Sequence, residues 1–184
     1  ACHANSETLQ TASTSSAQCV CSVRFTSADG ACVQCAADSY KDFVGNNACT
    51  LCSAYGDHSS TQGITGAYTL CECVCDAGYM HHGYCSNCQA CQENHYCPAG
   101  TTDNPIACPA NSHSDLLSTP AAADECICDS RFWKYTDNSC QACPANYFCP
   151  GDDARHACPL NSTAPVSSLS VDDCVCDGGF KKTE

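Results

Sequence analysis

Apolar residues occur along this chain singly or in brief alternations, and long polar stretches separate them. The clearest alternations are CVCSVRF, CVCDAGY, CICDSRF and CVCDGGF, and each predicts a short strand. A second strand is expected near the CxxC that follows each of the first three. Hairpin turns are expected at SADGA, MHHGY and YTDNS, where Gly, Asp and Asn accumulate. Helix should be almost absent, and no apolar run reaches membrane-spanning length.

Composition explains why the strands are so short. Val, Ile, Leu and Phe together number 23, no more than the cysteines. That is too little apolar volume for an ordinary packed core, so covalent bonds or metals must hold the chain. A disulfide closing a loop of about 15 residues stabilises by roughly 3 kcal/mol in the chain-entropy picture. Such bonds persist in oxidising compartments, which predicts an extracellular, cell-surface or ciliary-surface location. The chain opens with ACHANSETLQ, without initiator Met or basic leader, as expected of a mature or excised segment. A net charge of −13 with only seven Lys and Arg repels phosphate backbones and anionic membranes. Neither nucleic-acid binding nor direct membrane insertion is therefore expected.

The alternations belong to a repeat of about 50 residues. CxC pairs recur at Cys19 and Cys21, Cys73 and Cys75, Cys126 and Cys128, and Cys174 and Cys176. An aromatic follows each pair at the same offset, as Phe25, Tyr79, Phe132 and Phe180, preceded by Arg24, Gly78, Arg131 and Gly179. A single Cys opens a polar loop before each pair, and three of these loops carry Asn-Ser at one offset. The CxxC pairs are Cys32 and Cys35, Cys88 and Cys91, and Cys140 and Cys143, followed by Tyr40, Tyr96 and Phe148. The boundaries read as 1–51 (entered mid-repeat), 52–107, 108–157, and a truncated fourth copy at 158–184.

The phrases CxxCxxxxY, CPxNSxS and CxCxxGF resemble the ephrin-receptor-type cysteine-rich repeats, related to EGF-like and TNF-receptor-like modules. They are carried here by Cys140, Cys143, Phe148, Cys158, Pro159, Asn161, Ser162, Cys174, Cys176, Gly179 and Phe180. The resemblance implies a small disulfide-rich fold: tandem repeats of short β-hairpins, with little helix, stacked into an elongated rod. Similar arrays occur in large surface and ciliary-fibre proteins of algae and other protists, and in animal receptors and matrix proteins.

Connectivity cannot be read from sequence, but each repeat should close the same loops in the same way. One class joins Cys2 to Cys19, Cys52 to Cys73, Cys108 to Cys126, and Cys158 to Cys174. A second joins Cys21 to Cys32 and Cys128 to Cys140, with Cys75 reaching Cys85 or Cys88. A third joins Cys35 to Cys49, Cys91 to Cys97, and Cys143 to Cys149. Pairing among Cys71, Cys75, Cys85 and Cys88 stays open, and Cys176 is left over because its counterparts pair downstream. The aromatics Phe25, Tyr79, Phe132 and Phe180 are expected to pack between loops, with the polar loops facing outward.

Recurrent CxxC raises zinc, yet CxC and CxxC alternate with single cysteines throughout, and that density favours an oxidised chain. No metal site is expected. Calcium is the secondary candidate at Asp124, Glu125, Asp172 and Asp173, which stand before cysteines as in calcium-binding EGF-like modules. Two carboxylates fill only part of a shell of roughly six to eight oxygens, so solvated turns are the expectation there. Neither GxSxG nor HExxH occurs, and His82, His95 and His156 are expected to face solvent; no catalytic residue is assigned. The sequon Asn161-Ser162-Thr163 predicts an N-linked sugar, with Thr163, Ser167, Ser168, Pro120 and Pro165 as O-linked candidates. The expected role is a structural segment of a glycosylated extracellular filament or ciliary fibre (mastigoneme), whose partners are further copies, other extracellular structural proteins and covalent glycans. The other is a ligand-binding receptor ectodomain.

Overall fold

The computed structural model describes residues 1–54, 56–83, 85, 87–115 and 117–181. Among them are ten two-stranded antiparallel ladders, five single-turn 3-10 segments and no α-helix. This is a small disulfide-rich fold of β-hairpins. Tyr84, at the end of the MHHGY turn, lies outside the described residues.

The ladders fall into three kinds that recur in order. The first crosses each polar loop: Ser6–Thr8 pairs with Cys19–Cys21, Ser59–Ser60 with Val74–Cys75, Ser112–His113 with Ile127–Cys128, and Ser162–Thr163 with Val175–Cys176. The second follows each of the first three CxC pairs: Phe25–Ala28 pairs with Ala31–Gln34, Tyr79–His81 with Cys88–Ala90, and Phe132–Lys134 with Cys140–Ala142. The third follows each CxxC: Ser39–Tyr40 pairs with Thr50–Leu51, His95–Tyr96 with Ile106–Ala107, and Tyr147–Phe148 with His156–Ala157.

Left-handed residues set the phase of these ladders. The recurrent Asn before the first strand has φ of 59°, 61° and 61° at Asn5, Asn111 and Asn161, and His58 takes the position with φ 63°. Asn tolerates this conformation better than most residues. The carbonyls of these four residues accept from the N–H after each CxC, at Ser22, Asp76, Asp129 and Asp177, over 2.8–3.0 Å. The residue before each conserved-offset aromatic is also left-handed, which suits Gly78 and Gly179 and is borne by Arg24 and Arg131.

A 3-10 turn precedes every CxC pair, at Ser16–Gln18, Leu70–Glu72, Ala123–Glu125 and Val171–Asp173. Three of them carry reciprocal capping boxes, Ser15 with Gln18, Thr69 with Glu72, and Ser170 with Asp173. In the fourth, Ala122 gives no side-chain cap, and the Glu125 carboxylate accepts from the Ala121 N–H at 2.8 Å.

Close contacts divide the chain into two compact units. One comprises Ala1–Ala90 with Pro98–Asn104, and the other Cys91–Cys97 with Pro105–Glu184. Most of the buried apolar residues described in both are cysteines. In the first unit Tyr40, Cys52, Ala67 and Cys73 form the core cluster, with Leu70 against it. A parallel bridge joins Tyr40 to Ala67, and its counterpart in the second unit joins Phe148 to Ser168. The strand after a CxxC is thereby tied to the next polar loop.

Three expectations need correction. Phe180 is 53 % exposed, whereas Phe25, Tyr79 and Phe132 are half-buried; each of those three opens a strand paired to the next CxxC, and Phe180 opens none. The polar loops do not simply face outward. Thr61, Ser114 and Ser168 are buried, because their hydroxyls accept from or donate to backbone of the loop they pack on or to their own. Of the three histidines, only His82 is exposed; His95 and His156 are half-buried.

Candidate functional site

The eleven disulfides are the dominant chemistry among the described residues. Cys2–Cys19, Cys52–Cys73, Cys108–Cys126 and Cys158–Cys174 close the polar loops. Cys21–Cys32, Cys75–Cys88 and Cys128–Cys140 close the second hairpins. Cys35–Cys49, Cys91–Cys97 and Cys143–Cys149 follow, and the open pairing in the second repeat resolves with the additional bond Cys71–Cys85. Cys176 is the free thiol and is half-buried.

The first repeat departs from this pattern at a position that sequence reasoning missed. Lys41 follows Tyr40 where Cys97 follows Tyr96 and Cys149 follows Phe148, and Cys35 reaches Cys49 instead. Lys41 is 0 % exposed. Its ammonium donates to the Phe25 carbonyl at 2.7 Å and to the Gly45 carbonyl, and lies 5.4 Å from the Phe43 ring. Burial pushes its pKa below the ordinary lysine value. The aligned spacing after the CxxC was the signal that could have marked it as buried.

The sugar candidates separate by exposure. Asn161 is exposed in the left-handed conformation, and Thr163 and Pro165 are exposed beside it. Ser167 is half-buried. Ser168 is 3 % exposed and donates to the Pro165 carbonyl at 2.8 Å, while Pro120 is fully buried with its carbonyl accepting from Cys97 N–H. Neither Ser168 nor Pro120 presents an acceptor atom to a bulky polar sugar in the folded chain, which corrects the expectation for both.

Two of the carboxylates weighed for calcium, those of Asp173 and Glu125, cap backbone turns. Asp173 accepts from the Leu169 and Ser170 N–H groups at 2.6 and 3.1 Å, which hold its carboxyl below the usual range. Glu125 caps the equivalent turn. The Asp124 carbonyl accepts from Lys134 Nζ at 2.9 Å, and the same ammonium pairs with Asp153 at 2.7 Å. Ligand atoms of Cys75, His81 and Cys88 lie within 4.8 Å of one another. The two sulfurs are bonded together, so neither is available as a thiolate.

A cationic aromatic patch occupies the third repeat and was not foreseen. The Arg155 guanidinium lies 4.2 Å over Trp133 and 5.2 Å from the Tyr147 ring, and Tyr135 meets Trp133 edge-on at 5.4 Å. Phe148 stacks on His156, whose Nε2 is 2.8 Å from Asp152. That contact lowers the Asp152 pKa. The chain's one Trp, at 133, was the available signal.

No family model matches the chain. It is 29 % identical to cysteine repeat modular protein A of Toxoplasma gondii over 77 % of its length, and 31 % identical to cysteine repeat modular protein B over 95 %. It is also 32 % identical to chicken (Gallus gallus) ephrin type-B receptor 5 over 55 % of its length. The chain spans only 5 %, 3 % and 11 % of those relatives.

Proposed function

We propose, for a chain built of cysteine-rich repeats, that it serves as a structural segment of a glycosylated extracellular filament or surface fibre and acts in assembly or adhesion without catalysis. The observation that carries this reading is the recurring disulfide pattern, in which each of the four polar loops is closed and two of them are bridged by backbone to the strand after the preceding CxxC. Loops closed in this way would resist extension and proteolysis. The sugar at Asn161 and its exposed neighbours Thr163 and Pro165 would coat one loop.

The second reading is a ligand-binding ectodomain. It draws on the Arg155–Trp133–Tyr147 patch, since Arg and aromatic side chains are the usual anchors of protein interfaces. Analytical ultracentrifugation of the secreted, glycosylated chain distinguishes the two. Concentration-dependent ordered self-association supports the filament; a monomer at all concentrations that takes up one soluble partner supports the receptor.

A further inference from the structure

We propose that Cys71–Cys85 is an exchangeable disulfide, the site where an external thiolate enters this chain. In every other disulfide of the described residues at least one cysteine is buried; in this bond both are half-buried. Cys85 lines a cavity of about 370 Å³ with Cys71, Val74, His81, Gly83, Thr102 and Asp103, so an attacking sulfur can approach from an open, partly polar side. Exposed disulfides exchange far more readily than buried ones.

The bond is also separate from the repeating scaffold. The positions equivalent to Cys71 are Ala17, Asp124 and Asp172, so no other repeat has its counterpart. Cys71 sits in a 3-10 turn and Cys85 in a left-handed conformation with φ 50°, and neither belongs to a strand. Cys52–Cys73 and Cys75–Cys88 close the flanking loops independently, and Tyr79–His81 stays paired with Cys88–Ala90. Opening the bond therefore leaves the hairpins closed.

In the exchange, a thiolate attacks Cys85 Sγ, a sulfur–sulfur bond forms between them, and the Cys71–Cys85 bond breaks. The electron pair leaves on Cys71 Sγ, which takes a proton from water. A second small-molecule thiolate then attacks the sulfur of the first, and the bond to Cys85 Sγ breaks with its electron pair leaving on Cys85. The products are the Cys71/Cys85 dithiol and the oxidised small-thiol disulfide, so the electrons balance. The thiolate comes from a small thiol such as glutathione. The inference does not depend on whether the array builds a filament or a receptor.

Graded reduced glutathione, followed by alkylation and peptide mass mapping, tests it. Cys71 and Cys85 should become labelled about tenfold faster than any other disulfide cysteine, with the glutathione adduct on this pair. First labelling elsewhere, or simultaneous opening of all eleven bonds, overturns the proposal. The double variant C71S/C85S should retain the remaining bonds and lose the early adduct; an adduct that persists there also overturns it. If no glutathione adduct forms on Cys71 or Cys85, the proposal fails.

Discussion

At the scale of single residues, one carboxylate or one ammonium often holds a whole loop end. Asp173 receives two backbone N–H groups, and its pKa is depressed in the fold by them. A depressed carboxyl contributes stability above its unfolded pKa and loses it as pH falls through the folded one. D173N should therefore weaken protection of the Leu169 and Ser170 amides at neutral pH. Their amide exchange should also lose its acid dependence below about pH 4, the ordinary carboxylate range. Lys41 plays the corresponding part for the Phe25 and Gly45 carbonyls. K41A removes the donor from both, and chemical denaturation should report a loss of about 1–3 kcal/mol. Asn161→Gln should remove one N-glycan's mass from the secreted chain, with no change in the disulfide map.

At the scale of elements, the Phe25–Ala28 hairpin shows how turn chemistry governs register. Asp29 and Gly30, with φ of 50° and 78°, form its two-residue connection, as SADGA predicts. A Cβ on Gly30 meets nothing within 4 Å, so the cost of Gly30→Val is conformational rather than steric. Thermal unfolding should register about 1–2 kcal/mol. Strands at the CxC phrases and hairpins after them were legible because their cysteines, aromatics and turn residues recur at fixed offsets. The left-handed role of the Asn in Asn-Ser was not, since recurrence shows that a position matters without showing its φ. The carboxylates before Cys126 and Cys174 raised calcium beside the expected solvated turn, because a turn cap and a calcium ligand call for the same residue types. Burial of Pro120 and Ser168 was hidden as well. It arises from contacts with Cys97 and Phe148, each roughly 20 residues upstream in sequence and set by tertiary packing.

At the scale of the molecule, sulfur takes the place of the aliphatic core. Leu117 and Leu160 are each 95 % exposed while thirteen cysteines are buried. The described fold should therefore collapse in strong reductant and survive a chelator, as followed by amide-proton chemical-shift dispersion. A charge of −13 favours mutual repulsion between copies in solution. The claim that a stapled, sugar-bearing array builds an extracellular structure is tested most directly by imaging the native assembly at a resolution that shows disulfides and glycans. Repeated, ordered contacts between copies of the array are expected, with sugar density on Asn161. Isolated chains, each bound to a soluble partner and making no contact with one another, would contradict it.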